Sequence, residues 1–433
     1  MSVNMFKPRK FEDHEIADGN GNKGGDIRVK PSGIVRYRGG IMNIHRMVLI
    51  AATAFLITSG TLDAQNVFAA ETLAYFDEDV ASIVSVPDGN NAWRIICVSK
   101  RSYRFKLHNI YGQTNNWSRT TYKIPISEGY GSISQTDAGV WMYTCHGRSY
   151  PDSSLQLFVG KGEELKGVIP LEVQGCNLLH PTIVMDGNDP LVCFRDDSNQ
   201  RLLAAKVFGS DWQIEVVDKN NDTGWCPSAV RLPENKVGVV YSAKTMDGGE
   251  IRFAERDYGY WRLERVVSPV SLIEMSISIS VSPAGTVGIA YVNDGISFSR
   301  RISPRTWRSY NITDGYSVSS PSLTFIPGNR PVIAYRDSSR NPTGAFNNWL
   351  NLAVQTDSKD ATQEPSCIII PHITNNSDDE LICGPPSLSS NARGDILLAY
   401  AVRNSTTKGS KIMAIFIDNA TVNKFGASPP QAQ

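Results

Sequence analysis

Hydrophobic residues in this chain gather in short runs that stop abruptly on charge. In "RPVIAYRD" (330–337) an apolar run ends in an aromatic and breaks into Arg336-Asp337. Close variants recur as "DPLVCFRDDS" (189–198), "VGVVYSAK" (237–244), "VGIAYVND" (287–294) and "ILLAYAVR" (396–403). Runs this short, rich in Val, Ile and Tyr and bounded by turn formers, predict strands buried on both faces. No helical period of 3.6 competes with them.

Aligning the chain on the residue that ends each run gives Ser99, Cys145, Phe194, Tyr241, Tyr291, Tyr335 and Tyr400. The steps are 46, 49, 47, 50, 44 and 65 residues, the last lengthened by an insertion in the 350s–380s. Each unit has four parts. An opening strand such as "PSLTFIP" (321–327) or "PSAVRLP" (227–233) leads into a turn, often with Gly. The apolar run follows, then a third strand such as "RLLAAKVF" (201–208). A fourth strand is often headed by Trp, as at Trp117, Trp212, Trp261 and Trp307. Four short strands repeated every 45–50 residues predict an all-β, seven-bladed β-propeller with four-stranded blades.

The seventh unit holds only three strands, ending in "KIMAIFID" (411–418). A fourth is available in "ETLAYFD" (71–77), which resembles "WQIEVVD" (212–218). The N-terminal strand is therefore expected to close the last blade, hiding two sheet edges. The propeller then spans 70–418, and 419–433 reads as a flexible tail.

Ahead of it, Met42 opens a short basic start and an apolar run, Val48–Ile57, and the segment ends in Val67-Phe68-Ala69, with small residues three positions and one position before the cut. This is the layout of a cleavable signal peptide over 42–69, cut after Ala69, and it predicts a secreted or periplasmic protein. Ten apolar residues are too few to span about 30 Å of hydrocarbon, so no membrane span is expected in the mature chain. Residues 1–41, polar and without periodicity, read as a disordered extension or an upstream start wrongly chosen.

Lys+Arg and Asp+Glu are equal at 43 each. A nucleic-acid partner is therefore not expected, since such binders show a basic excess. The seven Cys have no metal-ligand spacing, so neither a metal nor another cofactor is expected. Cys367 and Cys383 bracket the insertion and are the candidate disulfide; Cys176 and Cys226 are a second possible pair. The chain is expected to be a monomer.

In a propeller, the loops after second strands and the blade junctions share one rim, and loops on a rigid scaffold are where binding concentrates. Arg101, Arg148, Arg195, Asp196, Lys244, Asp294, Arg336, Asp337 and Arg403 all fall there, with His180 and Trp225 at junctions. Convergent cations beside carboxylates fit an anionic sugar, because a guanidinium meets a carboxylate through two parallel N–H···O bonds. Trp225 is the aromatic placed to stack on a sugar face.

The phrase "PSLTFIPGNRPVIAYRD…LNLAV" resembles the repeat of secreted bacterial propellers grouped with the sialidase-like superfamily, over about 70–418. That resemblance implies the propeller fold. In a sialidase it would further imply three arginines on the substrate carboxylate, for which Arg195, Arg336 and Arg403 are available. The S-x-D-x-G-x-T-W box of that superfamily is missing, and no Tyr/Glu nucleophile pair follows from spacing, so the activity is not carried over. Two readings stand. One is a binding module for anionic glycans or a cell-surface partner. The other is a glycan-active enzyme, either a hydrolase drawing on Asp196, Asp197, Asp294, Asp337 or Glu274, or a lyase with His146 or His180 as base.

Overall fold

The computed structural model describes residues 68–433 apart from 90, 103, 125, 127–130, 149–152, 209–210, 271–275, 316, 339–348, 356–366, 372, 375–379, 408 and 427–433. The extension 1–41, nearly all of the expected signal peptide, and Glu274 lie outside the described residues. The described strands form seven four-stranded antiparallel sheets. The first strand in the chain, β1 (Ala70–Phe76), belongs to the last sheet.

Blade 1 is β2 (Asp79–Asp88), β3 (Ala92–Arg101), β4 (Arg104–Gln113) and β5 (Asn116–Ile124). Blade 2 is β6 (Gly131–Gln135), β7 (Val140–Arg148), β8 (Ser154–Lys161) and β9 (Glu164–Leu171). Blade 3 is β10 (Leu178–Asp186), β11 (Asp189–Asp196), β12 (Arg201–Phe208) and β13 (Asp211–Asp218). Blade 4 is β14 (Asp222–Arg231), β15 (Val237–Thr245), β16 (Gly248–Asp257) and β17 (Tyr260–Val270). Blade 5 is β18 (Ser278–Val281), β19 (Val287–Val292), β20 (Ile296–Ser303) and β21 (Thr306–Asn311). Blade 6 is β22 (Val318–Ile326), β23 (Arg330–Asp337), β24 (Trp349–Gln355) and β25 (Cys367–Ile370). Blade 7 is β26 (Glu380–Ser390), β27 (Ile396–Asn404), β28 (Ser410–Ile417) and β1.

First strands touch in a closed cycle from β2 through β6, β10, β14, β18, β22 and β26 back to β2. The ring is a seven-bladed propeller. It closes as the sequence predicts: β1 pairs antiparallel with β28, Ala70 opposite Ile415. Glu71 on β1 then accepts hydrogen bonds from the Asn115 backbone N–H (3.2 Å) and Trp117 Nε1 (3.3 Å) of blade 1.

The hydrophobic core is divided into seven clusters, one per seam between neighbouring blades. This explains the unbroken apolar runs. Successive residues of a strand point to opposite faces, and a second strand has a blade on each side. In β27, Ile396, Leu398, Tyr400 and Val402 fill the seam with blade 6, while Leu397, Ala399 and Ala401 fill the seam with blade 1. Each fully buried large apolar side chain stabilises the fold by about 1.5–3 kcal/mol. Gly288 in "VGIAYVND" leaves room where a Cβ would come within 2.7 Å of the Phe325 ring. The fourth-strand tryptophans reach back to the preceding blade. Trp212 Nε1 donates to Pro170 O (2.9 Å) and Trp307 Nε1 to Glu264 (2.9 Å).

A second regularity explains the opening "PS" and "PT" phrases. The Ser or Thr hydroxyl of one first strand accepts a backbone N–H from the next. Ser132 receives Ile183 (3.3 Å), Thr182 receives Ala229 (3.1 Å) and Ser278 receives Leu323 (3.0 Å). Ser322 receives Leu388 (2.9 Å) and Ser387 receives Ser85 (2.8 Å). These bonds stitch the inner ring across seams that no sheet ladder crosses. Ser322→Ala leaves the Leu388 N–H unmet. It is expected to cost about 1–2 kcal/mol, read as a lower denaturation midpoint, and Ser322→Thr is expected to restore most of it.

Two features depart from expectation. Residues Asn419–Gly426, read as the start of a flexible tail, form helix α1. Its first turn is capped by Asp418, whose carboxylate accepts the Thr421 backbone N–H at 2.7 Å, and Val422 is buried against blades 6 and 7. The candidate disulfide is not formed: Cys367 and Cys383 are both free thiols. Cys367 lies on the outermost strand of blade 6 and Cys383 on the innermost strand of blade 7, so bracketing one insertion does not bring them together. Cys176 and Cys226 are free as well. Phe68, just before the expected cut, is buried in the seam between blades 6 and 7. Among the described residues, no helix is long and apolar enough to cross a membrane.

Candidate functional site

Because strands within a blade alternate in direction, the loops after second strands and the blade-to-blade connections emerge on one face, here the upper face. The other hairpins emerge on the lower face. The predicted rim residues lie along the upper face, each in its own surroundings.

The densest grouping sits where blade 3 passes to blade 4. Arg195, 1% exposed, ends the apolar run of β11. Its guanidinium bonds Asp197 Oδ1 through Nε (3.0 Å) and Nη2 (2.8 Å), Asp222 Oδ1 through Nη1 (2.7 Å) and Thr223 O (2.6 Å). The same guanidinium lies 3.8 Å from the centre of the half-buried Trp225 ring, a cation–π stack. Trp225 Nε1 donates to Asp222 at 3.1 Å, and the exposed His180 ring lies 6.1 Å away. Arg195 is thus a strut beneath Trp225, with its donors committed to protein acceptors.

The junction that leads into Trp225 on β14 is anchored from below. Asp218, 2% exposed, accepts from the Asn220 backbone and side chain (2.9 and 3.0 Å), Tyr241 OH (2.9 Å) and Arg252 Nη1 (2.8 Å). Thr223 Oγ1 adds a longer contact at 3.4 Å. Burial, and then Asp218 itself, pushes the Tyr241 phenol well above its usual value, so it stays protonated and donates. Arg252 also pairs with Glu250, which in turn meets Arg265 at 3.2 Å. Local backbone geometry is unusual here. His180, Asn221 and Cys226 all have positive φ, a conformation that costs non-glycine residues energy and clusters at functional sites. At Gly224 (φ +87°) a Cβ would sit 3.1 Å from the Leu202 backbone. Bulges interrupt both β10 and β14 at this point.

The other predicted residues are dispersed. Asp196 is fully buried and holds Arg201 (2.8 Å), Asn199 (2.8 Å) and the Cys176 thiol (3.1 Å). Burial alone would raise its pKa, but these hydrogen bonds bring it below the usual carboxylate range. Arg403 pairs with Asp79 at 3.0 Å. Arg403 and Arg336 converge near Cys383, whose thiol is pushed up by burial against their opposing charge. Asp337 is half-buried beside Arg336 on β23. Arg101 and Lys244 are exposed at the ends of β3 and β15. Asp294 is an exposed turn residue whose carbonyl accepts Gly315 N–H (3.0 Å), and Arg148 ends β7. His146 is 4% exposed, so a base role at the surface does not suit it. Among the described residues, no three His, Cys, Asp or Glu side chains are grouped to hold a metal ion.

Sequence reasoning picked out Arg195, Trp225 and His180 but not what supports them. Asp218 and Asp222 were readable only as members of the polar junction "DKNNDTGW". Arg252 lies on β16, and nothing local marks it as the partner of Asp218.

No family model and no curated protein sequence matches the chain. Among solved structures, a protein of unknown function from Dyadobacter fermentans superposes with TM-score 0.48 at 12% identity, covering 81% of this chain and 99% of that one. An intramolecular trans-sialidase from Ruminococcus gnavus gives TM-score 0.46 at 9% identity, covering 86% and 100%. The polysaccharide lyase Uly1 gives 0.48 at 9% identity, covering 78% and 89%.

Proposed function

We propose that this chain is an exported propeller that binds glycans on its upper face, at the blade 3–4 junction, without acting on them chemically. The observation that supports this most is the preorganised Trp225. Its ring is half-exposed, backed by a buried guanidinium and pinned through its N–H to Asp222. Asp197 and Asp222, 38% and 20% exposed, edge the platform with acceptors for sugar hydroxyls. A flat aromatic flanked by fixed polar groups suits a pyranose, which has an apolar face and a hydroxylated rim. The signal-like segment 42–69 supports export.

The charge balance favours a neutral sugar over the anionic one expected from the cation count. Arg195 and Arg252 are matched by Asp197, Asp222, Asp218 and Glu250, so neither of these guanidiniums is offered unpaired to a carboxylate. Binding is favoured over hydrolysis because the carboxylates that edge the platform are engaged: Asp197 and Asp222 both hold the Arg195 guanidinium, whereas a glycosidase acid must carry a proton to donate.

The test is a glycan array probed with the purified protein at low and high salt. Binding that is insensitive to salt is expected, and Trp225→Ala should weaken it at least about tenfold while the protein remains folded, with a lower unfolding temperature from the lost stack on Arg195. An unaltered affinity in that variant, or no glycan bound by the wild type, would remove the reading.

A further inference from the structure

The lower face, opposite the one that carries Trp225, has its own concave feature. At the ring-closing seam, where blade 7 meets blade 1, a cleft of about 550 Å³ opens. That falls within the roughly 300–1,000 Å³ usual for small-ligand sites. Its floor is apolar: Trp93 from blade 1, and Ile396 and Phe416 from blade 7. Trp93 is almost fully buried, and Phe416 is backed by Trp117 at 5.7 Å between ring centres, so this floor is rigid.

The walls are polar and partly fixed. Asp395 accepts the Asn419 backbone N–H (3.2 Å), Asn391 Nδ2 (3.0 Å) and Arg393 Nη2 (2.7 Å). Burial works to raise its pKa, and these bonds lower it overall, so it stays ionised. Asp395 in turn anchors Arg393, which lines the cleft with a side chain 57% exposed. Exposed Asn91 and Thr114, from the two lower hairpins of blade 1, complete the opposite wall.

We propose that this cleft binds a neutral pyranose ring, as a second sugar site on the opposite face from Trp225. A pyranose can lay its C–H face on the half-buried Phe416 ring, the part of the floor that reaches the surface, and hydroxyls at its edge need donors and acceptors together. Arg393 supplies donors, while the Asn91 amide and Thr114 hydroxyl supply both. The Asp395 and Asp418 carboxylates, already bonded within the protein, disfavour an acidic sugar. Because blades 1 and 7 each provide a wall, an occupied site joins the two halves of the closing seam. A ligand that binds only the folded chain raises its apparent stability. The inference stands on the cleft alone and does not require the upper-face site.

The experiment uses the methyl pyranosides of glucose, galactose and mannose, followed by saturation-transfer NMR and thermal unfolding of the full protein. Saturation transfer to at least one of them, with a matching rise in unfolding temperature, is expected. The cleft variants are read with Trp225→Ala present throughout, which silences the upper face: the signal should remain in that background, and Asn91→Ala, on an exposed turn, or Arg393→Ala added to it should each reduce it about fivefold or more. No transfer to any of the three overturns the proposal. So does a signal in that background that survives both cleft substitutions, or one that Trp225→Ala alone removes, which would put the sugar on the upper face. A failed glycan array with an intact cleft signal would remove the upper-face reading alone.

Discussion

Asp218→Ala is expected to cost about 3–5 kcal/mol of folding stability, the range for removing one partner of a buried ion pair. Asp218 serves the Asn220 backbone and side chain, Tyr241, Arg252 and, more weakly, Thr223. Alanine leaves most of these donors with no acceptor in a place water does not readily reach. Arg252 keeps Glu250 and the Asn220 carbonyl, so the loss should fall short of complete unfolding. Removing the stranded cation as well should recover part of it. Asp218→Ala combined with Arg252→Met is therefore expected to be more stable than the sum of the two single changes by about 1 kcal/mol or more. Denaturant midpoints on the four proteins measure this. A single Asp218→Ala variant within about 1 kcal/mol of wild type would show that the network does not hold the junction. The same variant should lose sugar binding at Trp225, since the junction that leads into β14 and that ring is anchored on Asp218.

That dependence shows why the fold was legible in the sequence and the site only half so. The propeller is written in a repeat, because every blade must bury both faces of its second strand against its neighbours. The runs around Phe194, Tyr241, Tyr335 and Tyr400 are therefore continuous, and closure by residues 71–77 followed from a missing strand. The fourth-strand tryptophans were readable for the same reason. The hydroxyl stitch at Thr182, Ser322 and Ser387 was present in the repeated "PT" and "PS" phrases, but its chemistry was not: a Ser looks the same in sequence whether it meets water or the next blade's N–H. The rim is harder still. Arg195 and Arg403 sit at similar strand ends, yet one is a buried strut beneath an indole and the other a half-exposed partner of Asp79. What separates them is which carboxylates the neighbouring junction brings up. Asp222, near in sequence to Trp225, and Asp197, adjacent to Asp196, acquire their roles only when β11 and β14 lie side by side. Cys367 and Cys383 fail for the converse reason: closeness along the chain says little when one residue is on the outer edge of a blade and the other near the axis.

Acid is expected to weaken the protein well above the pH at which carboxylates titrate, and His108 is the cause. Its ring is buried in blade 1, 4.4 Å from Phe76 between ring centres. Nε2 lies 2.8 Å from Ser99 Oγ, and Nδ1 lies 2.9 Å from Thr121 Oγ1. Ser99 donates to Glu78, so its oxygen is left to accept from His108 Nε2–H, with Nδ1 accepting from Thr121. Both ring nitrogens are thereby satisfied in the neutral form. Burial, and next the charge of Arg119, lower the pKa to about 4; Glu78 opposes them and Lys106 adds to them. The unfolded chain binds this proton near the usual value of about 6.5, the folded chain only near 4. Between those values the unfolded state holds more protons, so stability rises with pH. The His108 contribution is complete above about 6.5 and is lost as pH falls towards 4. At about 1.4 kcal/mol per pH unit, the full span is about 3 kcal/mol. The measurement is the denaturation midpoint from pH 7 to 4.5 for wild type and His108→Gln. The wild type should decline steadily through this window. The variant, whatever its stability at pH 7, should be nearly flat. A parallel decline in both would show that another group takes up the proton on unfolding, and would rule out the chain from Glu78 through Ser99 to His108 as the acid-sensitive element of blade 1.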